Sequence, residues 1–167
     1  MDILKDLNDP QREAVKTTSG PLLILAGAGS GKTKTLTHRI AYLIQNENIA
    51  PEQILAVTFT NKAAKEMRHR LAEMLGGRAE NRFFMPWMGT FHGICVRILR
   101  QSCEYVGVEK NFVIYDEDDR RTLIKKIIKE FKLDDKSIKP ASASAAIKKA
   151  KNELTTADDY SLSANWE

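Results

Sequence analysis

Pro21-Leu22-Leu23-Ile24-Leu25-Ala26-Gly27-Ala28-Gly29-Ser30-Gly31-Lys32-Thr33 is the stretch whose reading decides the fold. Pro21 to Ala26 is a continuous apolar run of the kind a buried parallel strand needs. A glycine-rich turn follows, and then a helix is expected from Lys32 to about Gln45. Small residues in such a turn let successive backbone N–H groups curl around phosphate oxygens, and the following helix adds its positive end. Ala26, Gly27, Ala28, Gly29, Ser30, Gly31, Lys32 and Thr33 therefore read as a P-loop, with Ala26 where the strict pattern has its first Gly. Lys32 is expected to reach the β- and γ-phosphates of a nucleotide, and the Thr33 hydroxyl to ligate Mg2+. The bland alternative is a Gly-rich turn that binds nothing, and Gly-Lys-Thr between a strand and a helix argues against it.

Outward from this loop, strand-like and helix-like segments alternate. Asn8 to Thr17 predicts a short helix, capped by Asn8 or Asp9 with Pro10 in its first turn. Ile54 to Thr60 predicts a second buried strand. The next helix carries Ala63, Met67, Leu71 and Met74 on one stripe and ends at Gly76-Gly77. Phe83 to Gly89 predicts a third strand, which Pro86 makes an edge or an irregular one. The helix after it has a core stripe of Phe91, Ile94, Cys95, Ile98, Leu99 and Val106. This alternation implies an α/β fold with a parallel sheet flanked by helices. From Asn111 the character changes: a short apolar run, Phe112 to Tyr115, precedes helices over Asp119–Lys132 and about Ala141–Leu154. The expected division is thus 1–110 and 111–167, the second part starting a mainly helical subdomain. Residues 155–167 show no clear periodicity and no closing element, so the chain reads as one that stops rather than finishes.

Composition narrows the function classes. The 167 residues are 43% apolar and 29% charged, as in an ordinary globular protein and unlike a disordered tail. No apolar run is long enough to span a bilayer, and the acidic amino terminus does not resemble a signal peptide. A cytoplasmic location, with no membrane partner, is the expectation. Cys95 and Cys103 have neither metal-ligand nor redox spacing and read as small apolar residues on one helix face. The net charge of +4 is confined to residues 62–104, which hold eight cations and four anions; the flanking segments are each balanced. A local surplus of this kind suits nucleic acid, although it equally suits a solvated helix face.

A P-loop alone does not choose between kinase, GTPase, transporter and helicase. The flanking blocks do. Leu7-Asn8-Asp9-Pro10-Gln11 lies ahead of the first strand, and the Gln11 amide can pair with both donor and acceptor edges of adenine, favouring ATP. Thr58-Phe59-Thr60-Asn61-Lys62 follows the second strand and Gly89-Thr90-Phe91-His92 the third. Each places a hydroxyl, an aromatic ring and a polar or cationic group at the carboxyl edge of the sheet, where open α/β folds bind ligands. Hydroxyls, N–H groups and Lys suit phosphates, and Phe offers a stacking face for an unpaired base.

In this order the blocks LNDPQREAV, AGAGSGKT, VTFTNKAAKEM and GTFHGICVRILR closely resemble superfamily 1 DNA helicases of the UvrD/PcrA/Rep type, over residues 3–131 and more loosely to Leu154. The resemblance implies a RecA-like α/β motor domain, here its front part, with the start of an inserted helical subdomain. It implies an ATP-dependent, Mg2+-requiring motor that moves 3′ to 5′ on single-stranded DNA and unwinds duplex or junction DNA in repair or replication. A second RecA-like domain, in the remainder of the chain, would complete the ATP site. Residue by residue, it implies that Gln11 reads adenine and that Gly29, Gly31, Lys32 and Thr33 hold phosphates and Mg2+. It places Phe59, Thr60, Asn61, Lys62, Thr90, Phe91 and His92 on single-stranded DNA. Where the family usually has an Arg stacked on adenine, this chain has Lys34, a point charge that stacks less well.

Phe112-Val113-Ile114-Tyr115-Asp116-Glu117 imitates the strand-plus-acids motif that holds Mg2+ and activates water. Asp116 or Asp118 can instead cap the helix that follows, with acids favoured in its first turn, and that reading is preferred. Without those acids in a catalytic role, the 167 residues alone are expected to bind nucleotide but hydrolyse it negligibly. Two other classes remain open on the residues: a self-contained P-loop switch, and a small kinase using Asp116 and Glu117. Among the remaining residues, His38 and His69 are expected to face solvent. Trp87, Phe83 and Phe84 are expected in a core or a domain interface.

Overall fold

The computed structural model describes residues 2–133 and 138–164. The chain divides into two compact units, residues 1–110 and 111–167.

In the first unit, α1 (Asp9–Lys16) begins where Asn8 accepts from the Gln11 N–H and the Gln11 side chain returns the bond to the Asn8 N–H, a reciprocal cap. Next comes α2 (Lys32–Gln45), whose start is set by Gly31 in the left-handed region at φ +85°. The sheet is a parallel pair, β1 (Ala56–Thr58) and β2 (Met88–Thr90), in register Ala56↔Met88, Val57↔Gly89 and Thr58↔Thr90. Between them runs α3 (Asn61–Leu75), and α4 (Phe91–Gln101) follows β2 directly. The layering is therefore helix against parallel sheet, an α/β arrangement.

The core forms where α2, α3 and the strands meet: Ile40, Ala41, Ile54, Ala56, Met67, Leu71, Met85 and Met88 are buried together. Met67 and Leu71 are the expected stripe of α3, one helical turn apart, and Leu71 is fully buried. Burying a side chain of that size contributes about 1.5–3 kcal/mol, so α3 is the element that fixes the positions of both strands.

Several expectations for this unit need correction. Pro21 to Ala26 pairs with no strand among the described residues, and Leu23 and Leu25 are 80% and 85% exposed. Apolar run length predicts burial but cannot supply a ladder partner, and the two strands present pair only with each other. The expected strand over Ile54–Thr60 shortens to Ala56–Thr58, and that over Phe83–Gly89 to Met88–Thr90. Residues ahead of β2 turn instead: Asn81 accepts from the Phe83 N–H through its side chain and from the Phe84 N–H through its carbonyl. Pro86, with no N–H, cannot join a ladder. Phe83 is left exposed, Phe84 packs partly against the core, and Trp87 is half-buried.

On α4, only Ile94 of the expected stripe is buried; Phe91, Ile98, Leu99 and Val106 are exposed by 40% or more. The helix stops at Gln101, and Cys103 lies in a separate 3-10 turn, Cys103–Val106, so Cys95 and Cys103 do not share a helix face. His38 also departs from the solvent-facing expectation. It is half-buried, and its Nδ1–H donates to the Ile3 carbonyl at 2.5 Å. His69 is exposed as expected, between Glu73 and Glu80, 3.6 Å from each.

The second unit contains α5 (Glu117–Glu130), α6 (Pro140–Asn152) and α7 (Ala157–Ala164). Phe112 to Tyr115 is not a strand, and Val113, Ile114 and Tyr115 are exposed. A helix, α7, occupies part of the tail that shows no periodicity. Its signal was local: Thr156 Oγ1 accepts from the Asp159 N–H, and Asp159 Oδ2 accepts from the Thr156 hydroxyl and N–H. These bonds hold the Asp159 carboxyl below the usual range, the hydroxyl contributing most and the N–H next. Residues 165–167 of that tail lie outside the described residues.

Candidate functional site

The glycine-rich loop has a geometry that its composition dictates. Gly29 and Gly31 take φ +77° and +85°, a region side chains disfavour, and a Cβ added at Gly27 or Gly29 would meet open space. Ser30 folds back on the loop, its N–H and hydroxyl both donating to the Gly27 carbonyl. Lys32 Nζ donates to the Ala26 carbonyl at 3.0 Å and the Gly27 carbonyl at 2.5 Å, so the loop closes around its ammonium. α1, α3, α4 and α5 each begin with a side-chain cap, whereas α2, like α6, has none. Its first N–H groups are therefore left to whatever acceptor approaches the loop.

A cleft of about 220 Å3 opens beside the loop, lined by Asn8, Pro10, Gln11, Ile24, Ser30 and Lys32 among others. Gln11 spans it: its carbonyl oxygen holds the Asn8 N–H, and its Nε2 donates to the Ser30 carbonyl at 3.0 Å. The residue expected to read adenine thus ties α1 to the glycine-rich loop. Lys34, which stands in place of the family's usual Arg, donates to the Asp6 carbonyl. Arg39 likewise donates to the Ala14 and Thr17 carbonyls. Sequence reading missed this bracing of α1 against α2. Its signal was the spacing of Lys34 and His38, one turn apart on α2, opposite a chain entering α1 with free carbonyls.

The residues fit a nucleotide with a divalent ion. Thr33 is the second residue of α2, beside the uncapped N–H groups. Among the described residues no three His, Cys, Asp or Glu side chains gather for a metal. Mg2+ here would be carried by phosphates and one hydroxyl, the arrangement it commonly takes with nucleotides.

The second cluster lies at the carboxyl edge of the strand pair. Because Thr58 is paired with Thr90, the segments leaving β1 and β2 emerge side by side. Thr60 caps α3 by accepting from the Ala63 N–H at 3.1 Å, and Thr90 caps α4 by accepting from the Gly93 N–H at 3.2 Å. Both expected DNA-contacting hydroxyls thus also start helices. Phe59 is 98% exposed and Phe91 60%. The Phe91 and His92 rings meet edge to face, centroids 6.1 Å apart. Asn61, Lys62 and His92 are exposed on the same edge. Two bare aromatic faces, a His, a Lys and two helix N-termini therefore share one rim, which suits stacked bases and phosphates.

Asp116 is engaged at the start of α5. Its Oδ1 accepts from the Asp118 and Asp119 N–H groups, both at 2.9 Å, and Asp119 returns a bond to the Asp116 N–H. Glu117 is salt-bridged to Arg120. The acids form a helix start, as the preferred sequence reading held, and the kinase reading loses its catalytic pair. Asp116→Ala is expected to lower the stability of this unit by about 1 kcal/mol, the usual cost of losing a side-chain cap. Denaturant titration, with amide exchange localised to the first turn of α5, would measure it.

The architecture and loop define the class: an α/β layer with a glycine-rich turn at the mouth of a helix that no side chain caps. Within that class, the chain belongs to the UvrD/REP helicase family, whose N-terminal domain matches residues 7–165. It is 49% identical over 163 residues to the ATP-dependent DNA helicase PcrA of Staphylococcus epidermidis, an alignment covering 98% of this chain and 22% of that protein. It is 50% identical over 157 residues to the ATP-dependent DNA helicase PcrA of Staphylococcus aureus, covering 94% and 21%. The chain thus spans about a fifth of the length of these relatives. Among the described residues no helix is long and apolar enough to cross a membrane.

Proposed function

We propose that this chain is the nucleotide- and DNA-gripping front of an ATP-dependent DNA helicase of the UvrD/PcrA type. In this reading residues 1–110 are the front of a RecA-like motor domain and residues 111–167 begin its inserted helical subdomain. Gly29, Gly31, Lys32 and Thr33 hold ATP phosphates and Mg2+, and Gln11, beside the same cleft, faces adenine. Phe59, Thr60, Asn61, Lys62, Thr90, Phe91 and His92 hold single-stranded DNA. The observation that carries the reading is the Thr58↔Thr90 register, which brings two segments distant in sequence to one exposed rim.

Family membership and the PcrA relatives support ATP as the nucleotide and DNA as the polymer. Movement from 3′ to 5′, unwinding of duplex or junction DNA, and a role in repair or replication are proposed for the longer protein within which this stretch would act. The exposed Pro21–Ala26 run supports such a setting, because an apolar segment open on both faces is suited to further strands of one sheet. A second RecA-like domain would then close on the loop, and cytoplasm is the proposed location. The self-contained switch is disfavoured, since it gives no role to the aromatic rim.

The test is direct binding by the 167-residue chain. Fluorescence titration with a labelled ATP analogue in Mg2+, and anisotropy with a labelled oligothymidylate, should each give saturable binding. Saturation by the nucleotide without any by the oligonucleotide would favour the switch. Saturation by neither would overturn the reading.

A further inference from the structure

A further cavity of the first unit lies apart from the cleft beside the glycine-rich loop. It is a groove of about 540 Å3 between α3, β2 and α4, and its walls include Lys65, Arg68, Arg82 and Arg97. One acid, Glu80, also lines it, but Glu80 faces His69 at 3.6 Å. Among the described residues no carboxylate is salt-bridged to Arg68, Arg82 or Arg97. Like charges are thus held together by the fold without an internal counter-ion.

Two of the guanidiniums are anchored by backbone rather than by charge. Arg68 Nη2 donates to the Met88 carbonyl at 3.1 Å, while its Nη1 is buried with no hydrogen-bond partner. Arg97 donates to the Pro86 carbonyl, and its guanidinium carbon lies 5.9 Å from the Trp87 ring centroid. Burial, and then the positive fields of Arg82 and Arg97, push the Arg68 guanidinium below its ordinary value. The unpartnered Nη1 and the crowding of cations around it are costs in the absence of an anion. Leaving a buried charged donor unpaired is unfavourable, and crowding cations around it adds to that.

We propose that this groove is an anion site that seats one backbone phosphodiester of single-stranded DNA, gripped by Arg68, Arg82 and Arg97. The planar guanidinium fork matches two phosphate oxygens at once, which a scattered set of surface lysines does not. The strand itself is the source of the phosphate, because Asn61 and Thr90 stand in the same groove wall. These two residues belong to the rim proposed above to hold DNA, and the inference rests on that reading. The groove extends that rim away from the stacking rings, so that bases lie on Phe59 and Phe91 while a phosphate is held beneath. It also gives the local surplus of positive charge in residues 62–104 a place to act.

Arg82 is the residue to test, since it is exposed and takes part in no backbone anchor. Anisotropy with labelled oligothymidylate over a salt series should show Arg82→Gln binding about three- to tenfold more weakly at low salt. The slope of log affinity against log salt should become shallower by about 0.7, one single-strand phosphate contact. Arg82→Lys should recover the slope. Arg78→Gln removes an exposed cation of the same segment that does not line the groove, and should change the slope much less. Equal effects at Arg82 and Arg78, or none at Arg82, would overturn the phosphate site while the wild-type chain still bound DNA. Absence of binding by the wild-type chain would overturn both this site and the DNA reading.

Discussion

Lys32→Ala is expected to weaken binding of the ATP analogue by about ten- to a hundredfold, from the loss of charge-assisted bonds to phosphate at about 1.5–3 kcal/mol. Two features of the loop argue for the upper part of that range. The ammonium donates to the Ala26 and Gly27 carbonyls, so it organises the turn as well as supplying charge. Without it, those two carbonyls line the cleft uncompensated, facing an anionic ligand. The uncapped start of α2 remains in the variant, and its N–H groups retain some affinity. Lys32 is exposed and its bonds are local, so the thermal midpoint should move little. A dissociation constant within twofold of the parent, by titration in Mg2+, would sink the assignment of this loop to the nucleotide. Oligothymidylate binding without nucleotide should be unaffected, because the rim lies at the ends of β1 and β2 rather than on the loop.

The parts of this molecule that were legible in the sequence are those encoded by short-range chemistry. The start of α2 at Lys32 follows from Gly29 and Gly31, which alone accept the left-handed turn. The start of α1 follows from Asn8 and Gln11, and that of α5 from Asp116, each a side chain satisfying nearby N–H groups. The helix at Ala157 was encoded the same way in Thr156 and Asp159, but its weak amphipathic pattern hid it. What was not legible depends on partners. Leu22 to Leu25 are as apolar as any buried strand, yet strand formation needs a neighbour to bond with, and periodicity carries no information about the neighbour. The α4 stripe failed for a related reason: Ile98 and Leu99 repeat at helical spacing, but only Ile94 reaches a covering surface.

The candidate site divides along the same line. Residue types at the loop and the rim could be chosen from motifs, because phosphate and base recognition demand particular groups. The engagement of those groups could not. Gln11 and Lys34 are both bonded to backbone carbonyls of neighbouring segments, Ser30 and Asp6, and spacing that marks one face of a helix does not name the carbonyl it meets. The arginine groove was hidden more thoroughly, since Arg68, Arg82 and Arg97 lie on three segments that meet only through the α3–β2–α4 packing.

Phe59→Ala combined with His92→Ala is expected to weaken oligothymidylate binding by about tenfold to about two thousandfold. The estimate sums about 1–3 kcal/mol for one lost base stack and about 0.5–1.5 kcal/mol for one lost hydrogen bond to the strand. Summation is justified because the two side chains share no partner: Phe59 stands clear of the protein, and His92 meets the ring of Phe91. The near-complete exposure of Phe59 makes the experiment clean. Its truncation leaves no cavity and removes no core contact, so weaker binding reports the lost stack rather than a damaged fold. Neither a lost stacking face nor a lost hydrogen bond between uncharged side chain and strand releases counter-ions, so affinity should fall by a similar factor at every salt concentration. Phe91 remains in the double variant and sets the residual affinity. Binding indistinguishable from the parent, with saturable nucleotide binding intact, would show that the rim is not where the strand lies.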